Sequence, residues 1–148
     1  MAERYFEDFS EGETFVSASA ALSEAEIVAF ARDNDPQPFH LDPDAARESP
    51  FSGLIASGFQ TMGLAFRLFY QDGHIAGCSL GSPGMDKIRW HHPVRPGDAL
   101  RSEVEVRALR PSESKPDRGY GTFVCTVLNH DDEIVMSFTF TLIMRRRA

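Results

Sequence analysis

The pattern of apolar and polar positions splits the chain into a helical first half and a strand-rich second half, the order expected of an α+β domain. Between Phe51 and Tyr70, the residues Ile55, Phe59, Met62, Phe66 and Phe69 recur at alternating steps of four and three, the spacing of one helix face. Leu54, Leu64, Ala65 and Leu68 make its other sides apolar too, and a helix apolar nearly all round is a buried one. Gly53, Gly58 and Gly63 lower helix propensity there. They make sense where another backbone or a ligand must come close. Past residue 100 the period changes to two. Leu100, Ser102, Val104, Val106 and Ala108 face one way against Arg101, Glu103, Glu105 and Arg107. Ile134, Met136, Phe138, Phe140 and Leu142 repeat this against Ser137, Thr139 and Thr141, with a strand from Tyr120 to Leu128 between them. Asn129 to Asp132 reads as the hairpin turn, and Pro111 to Arg118 as a polar loop.

Ahead of the long helix, Glu13 to Ala21 is expected to form a first strand with small side chains. Ser23 and Glu26 have the spacing of a capping box, opening a short helix to about Arg32 with Ile27, Val28 and Phe30 on its buried side. Asp33-Asn34-Asp35-Pro36 ends it, since a residue before proline avoids helical geometry. Asp42 and Pro43 suit the cap and first position of another short helix. The picture is one antiparallel sheet wrapped on a long central helix, a single domain over residues 1–148.

Composition narrows the function. The net charge of -7 argues against a nucleic-acid partner, which would call for a basic face. The one basic run, Arg145-Arg146-Arg147, is expected to be a solvated tail. Cys78 and Cys125 have no metal-ligand spacing and read as small buried hydrophobes in a reduced, cytoplasmic setting. Residues 1–5 carry no apolar run of a signal peptide, and no stretch is long and apolar enough to span a membrane.

Chemistry points to Asp35-Pro36-Gln37-Pro38-Phe39-His40-Leu41-Asp42, which fixes a carboxylate and an imidazole five positions apart in a proline-stiffened turn. Such a pair beside a pocket can move protons near neutral pH. Taken singly, Asp35 is also a turn former, His40 a structural or surface histidine, and Asp42 a helix cap. His91 and His92 lie at a strand end with too few neighbours for a metal site. Lys87, Arg89 and Arg95 are solvated strand-face cations or contacts for a phosphate group.

Three segments together resemble the MaoC-like dehydratases of the hotdog fold, which include the (R)-specific enoyl-CoA hydratases. Residues 35–42 are similar to the family's Asp-x-Asn-Pro-x-His-x-Asp. Residues 53–59, Gly-Leu-Ile-Ala-Ser-Gly-Phe, look like the start of the central hotdog helix. Residues 89–98, Arg-Trp-His-His-Pro-Val-Arg-Pro-Gly-Asp, are similar to Arg-Phe-x-x-Pro-Val-x-x-Gly-Asp. Two positions depart: Gln37 stands for the family's Asn, and Ser57-Gly58 for its frequent His-Gly.

The resemblance implies a hydro-lyase of fatty acid metabolism that reversibly adds water to a 2-enoyl thioester of coenzyme A or acyl carrier protein. It needs no metal or redox cofactor, and coenzyme A is part of the substrate. Asp35 and His40 become the acid/base pair. Gly58, or an amide beside it, becomes the oxyanion donor, with a packing role as the alternative. Ser57 and Gln37 become candidate substrate-binding groups, although Ser57 also suits a local backbone bond. The family pairs sheets edge to edge, so a homodimer or a dimer of dimers is expected. A hotdog thioesterase and a non-catalytic thioester binder are the competing readings. Thioesterases of this fold usually carry a carboxylate on the central helix, and Gly53 to Tyr70 contains no Asp or Glu.

Overall fold

A computed structural model describes residues 3–148. Five strands form one antiparallel sheet in the order β1-β3-β4-β5-β2: β1 Thr14–Val16, β2 Gly84–Trp90, β3 Arg101–Pro111, β4 Arg118–Leu128 and β5 Ile134–Arg145. The helices are α1 Glu24–Asn34, α2 Pro38–Leu41, α3 Pro43–Arg47 and α4 Gly58–Tyr70. This is the expected α+β arrangement, with α4 laid on the sheet.

The long strands arise as read. Val104 and Val106, then Phe123, Cys125 and Val127, then Met136, Phe138, Phe140 and Leu142 all turn inward and are buried. Two bulges break the simple alternation. One lies between Val106 and Ala108, so Ala108 turns outward and Leu109 packs on the core instead. The other lies where Leu128 pairs with Ile134 and Val127 with Met136, which buries Val135 and leaves Ile134 exposed. The first strand is shorter than expected. After Val16 the chain still tracks β3, through Ser17 N–H to Ser102 O (2.9 Å) and a lone bridge from Ala20 to Leu100. Strand β2 carries no apolar alternation because it is an edge strand, exposed nearly throughout.

Helix α4 begins at Gly58, not near Phe51; residues 51–57 are a turn and a buried extended run. Its buried face is Thr61, Leu64, Ala65, Leu68 and Phe69. The helix is therefore not buried all round as expected: Leu64, Ala65, Leu68 and Phe69 are buried, but Phe59 is 56% exposed and Phe66 36%. The reason is approach distance. Small Thr61 and Ala65 let the helix sit close on the sheet, close enough for Ser102 Oγ of β3 to donate to Ala65 O at 2.8 Å. Beneath it, Phe123 and Phe140 are register partners stacked at 5.1 Å, and Phe69 meets both at 6.3 and 6.2 Å.

The caps are also as expected. Ser23 and Glu26 form a reciprocal capping box on α1, and Asp42 accepts from Asp44 N–H to open α3. The buried side of α1 is Ile27 and Ala31, with Val28 and Phe30 only half-buried. At the hairpin, Asn129 Oδ1 accepts from the Asp131 and Glu133 amides, and Asp132 takes a positive φ of 59°.

The basic C-terminal run is not a free tail. Arg146 Nε lies 3.2 Å from Glu7 Oε2, and Arg147 Nη2 lies 2.5 Å from Asp8 Oδ2. The Arg147 guanidinium also covers the Tyr5 ring at 4.9 Å. These contacts clasp the C-terminus to a one-turn 3₁₀ helix, Phe6–Asp8. The Arg147 hydrogen bond, with the Tyr5 amide, holds the Asp8 carboxyl below its usual range. A depressed carboxylate contributes stability above the ordinary range and loses it as pH falls through its folded-state value. Arg147→Ala is expected to lower the thermal midpoint slightly in low salt near neutral pH. The difference should shrink above roughly 0.15 M salt, where the Debye length is about 8 Å, and again in acid. A calorimetric series over salt and pH checks both trends.

Candidate active site

Asp35 and His40 are brought together by two short helical segments. Asp35 is the C-cap of α1, its N–H bonding Ala31 O at 2.9 Å. Pro36 stops the helix, and Pro38 starts α2 with its ring-fixed φ. The single turn of α2 carries His40 back toward Asp35, so that His40 Nε2 stands 3.3 Å from Asp35 Oδ2. Both side chains are mostly buried, 12% and 6% exposed for Asp35 and His40.

The other ring nitrogen fixes the histidine. His40 Nδ1 lies 2.7 Å from Ile55 O. A carbonyl only accepts, so Nδ1 carries a hydrogen and donates it. Nε2 is then the nitrogen free to exchange a proton with the pocket. Ile55 is itself locked, its N–H bonding Phe39 O at 3.2 Å, while the next amide, Ala56 N–H, bonds Val94 O at 2.8 Å.

Both oxygens of Asp35 are occupied. Gln37 Nε2 donates to Oδ1 at 2.7 Å, and Ser57 Oγ donates to Oδ2 at 2.7 Å. Burial pushes the carboxyl up, but the hydrogen bonds from Gln37 and Ser57 and the nearby His40 charge outweigh it, and the net shift is downward. Asp35 is therefore anionic at neutral pH. Ser57, fully buried, does two jobs: it also caps α4 by accepting from Phe59 N–H at 3.3 Å. The local backbone bond expected for Ser57 is present, but its hydroxyl hydrogen goes to Asp35.

Gly58 is the first residue of α4. Among the described residues its N–H has no hydrogen-bond partner. A Cβ built on Gly58 would fall 2.3 Å from Cε2 and Nε1 of Trp90, so only glycine fits under that ring. The packing use considered for Gly58 is thus present, in its contact with Trp90.

These groups line one cavity of about 510 Å³, a usual size for a small-molecule site. Asp35, Gln37, His40 and Gly58 face it, and Phe39, Phe51, Ile55 and Val94 supply apolar wall. All five sequence-derived residues meet here: four line the cavity and Ser57 stands directly behind Asp35. Sequence reasoning misses Thr61, Trp90 and His91 as site residues, yet they also line it. Trp90 and His91 lie inside the third motif, where nothing local signals that Trp90 neighbours Gly58 or that both line the cavity. Among the described residues no cluster of three or more His, Cys, Asp or Glu is arranged to hold a metal, and no helix is long and apolar enough to cross a membrane. His92 pairs with Glu133 at 3.2 Å, and Arg95 donates to Phe51 O at 2.5 Å, so Arg95 is a bracket for the 51–57 segment.

Residues 8–122 match the family model described as "MaoC like domain". The chain belongs to the MaoC-like dehydratase family. A crystal structure of the MaoC-like dehydratase from Rhodospirillum rubrum is 39% identical and superposes with a TM-score of 0.90, covering 98% of this chain and 99% of that one. The (R)-specific enoyl-CoA hydratase of the same organism is 31% identical over 130 residues, 83% of this chain and 81% of the relative. A Mycobacterium tuberculosis protein described as having a double hotdog fold superposes with a TM-score of 0.78 at 22% identity, over 98% of this chain and 45% of that one. The fold of this MaoC-like domain is thus the hotdog fold.

The Ser57 bond to Asp35 has a measurable consequence. Ser57→Ala removes a donor to a mostly buried carboxylate, and a hydrogen bond to a charged group contributes about 1.5–3 kcal/mol. The Asp35 titration midpoint, followed by carboxyl carbon NMR, should rise in the variant. Because the wild-type carboxyl is depressed, the stability gap should be full at neutral pH and narrow as pH falls below about 4, down to the pH-independent part from the lost α4 cap. An unmoved midpoint would show that the hydroxyl does not hold the carboxylate.

Proposed function

We propose that this MaoC-like domain catalyses reversible hydration of a 2-enoyl thioester, most simply of coenzyme A, by the Asp35–His40 pair. One observation carries the reading: an ionised carboxylate and an imidazole of fixed tautomer line a largely apolar cavity together with the first residue of α4, whose amide has no partner among the described residues.

Water held from the cavity side by Asp35 and His40, whose facing atoms are 3.3 Å apart, attacks the β-carbon, forming a C–O bond. Its proton passes to the pair. The π electrons move toward the thioester, whose oxygen becomes partly negative and accepts from Gly58 N–H. The α-carbon then takes a proton from the pair, and the catalyst returns to its starting state. Asp35, anionic at the outset, serves as acceptor or orienting anion and not as first proton donor. The apolar wall suits the acyl chain, and the cavity admits the acyl and thioester end of coenzyme A with its nucleotide outside. The reading requires no resident cofactor.

The assembly is proposed to be a homodimer. Phe66 and Tyr70 stack on each other at 6.1 Å on the outer face of α4 while 36% and 44% exposed, next to Phe59 at 56%. A row of large aromatics left open on a helix is the mark of an interaction surface. Exposed β2 forms an unpaired sheet edge on the same chain.

Crotonyl-CoA tests the activity: loss of enoyl absorbance without free thiol supports hydration, thiol release points to a thioesterase, and binding with neither product points to a carrier. Asp35→Asn should reduce kcat at least ~10²-fold with the fold retained; near-wild-type turnover would sink the pair. Sedimentation should give twice the 16.5 kDa chain mass, and Tyr70→Glu should move it toward the monomer.

A further inference from the structure

Trp90 is a half-exposed tryptophan at the end of an edge strand, 49% accessible, yet its position is tightly specified. Its backbone is in register with Met136 of β5. The next two amides, His91 and His92, both bond Val135 O, at 2.8 and 3.3 Å, and end the strand. Between Asp86 and Arg89 the strand bulges, with Lys87 at a positive φ of 54°, the kind of irregularity that re-aims a strand's side chains near a site. The ring meets Phe59 edge-to-face at 6.1 Å and lines the cavity.

The side of the indole turned to Gly58 bears its nitrogen. Nε1 and Cε2 would each lie 2.3 Å from a Cβ on Gly58, and Cζ2 2.8 Å. Adding one Cα–Cβ bond of about 1.5 Å places Nε1 within roughly 4 Å of the Gly58 Cα. Gly58 and the indole nitrogen thus meet on the lining of one cavity, and among the described residues neither the Gly58 N–H nor the indole N–H makes a hydrogen bond. Indole N–H is a donor only, so an acceptor must come from elsewhere. We infer that Trp90 is a second oxyanion donor, its indole N–H joining Gly58 N–H on the thioester carbonyl of the bound substrate. This rests on the hydration reading and adds to it a side-chain donor from β2. It also gives the absence of a side chain at residue 58 a chemical use: any Cβ there would evict the ring that brings the second N–H.

Trp90→Phe tests it, since phenylalanine keeps an aromatic ring against Phe59 but has no N–H. With crotonyl-CoA, kcat and kcat/KM should fall together about ten- to a hundredfold, at the lower end because the donor is half open to water. Unchanged or raised kcat overturns the assignment, the ring then being packing or an obstruction. A second readout needs no turnover. In the Asp35→Asn background, the carbonyl stretch of bound crotonyl-CoA, isotope-labelled at the thioester carbon, should lie lower with Trp90 in place than after Trp90→Phe. Trp90 is the sole tryptophan of the chain, so its emission should also change as the thioester binds. An inactive wild type that still shows the carbonyl shift defeats hydration and leaves the donor standing. An active wild type whose kcat and carbonyl stretch ignore Trp90→Phe defeats the donor and leaves hydration standing.

Discussion

The Ser57 hydroxyl donates to Asp35 Oδ2 across 22 residues of sequence, and the site hangs on that joint. Asp35 ends α1, and Ser57 begins α4. A hydroxyl has one hydrogen, and Ser57 gives it to the carboxylate while its oxygen accepts from Phe59 N–H to cap the helix. The Asp35 carboxylate and the start of the helix are thereby set by two bonds on one atom. Gly58 follows directly, so the distance from carboxylate to the proposed oxyanion donor depends on one buried residue. His40 is held by the same strip of backbone from the other side, through Ile55 O. Positioning of this kind, from rigid elements and fully used hydrogen bonds, is what lets a small constellation act with little reorganisation.

Local signals survive folding where a residue acts on its close neighbours. The Ser23–Glu26 box, the Asp42 cap, the Asn129 turn and the Asp35–His40 approach all involve partners within five residues, and each is seen. The strands of β3 to β5 are also legible because one face is buried, and burial imposes period two. The failures are equally physical. Bulges at residue 107 and residue 135 shift that period without changing the residue types on either side. Edge strand β2 has no buried face to announce it. The apolar pattern of α4 suggests burial on every side and does not single out the one that meets the sheet, because hydrophobicity ranks Phe59, Met62 and Phe66 above Thr61 and Ala65, whereas close approach ranks them the other way. The Arg146 and Arg147 clasp and the Trp90–Gly58 contact join segments far apart in sequence, and nothing local encodes either.

Gln37 and Ser57, the two departures from the family's motif, acquire a different meaning from this geometry. At the level of sequence they are candidate substrate contacts. In the fold each donates to a different oxygen of Asp35 at 2.7 Å. The departures therefore fall on the support of the carboxylate, and the apolar wall that meets the acyl chain is built by other residues, Phe39, Phe51, Ile55 and Val94. Substitutions at the support alter proton affinity before they alter fit. Each added donor stabilises the anion and lowers its pull on a proton. A carboxylate held this way is fully ionised at neutral pH but is a weaker base, so the gain in population is offset by a loss in driving force. In the proposed reaction two features compensate: His40 Nε2 shares the proton, and the Gly58 and Trp90 N–H groups, which make no hydrogen bond among the described residues, stabilise the charge that the substrate develops. The balance of the proposed reaction is then set between the Asp35 support and the proposed oxyanion donors, two places that the start of α4 ties together.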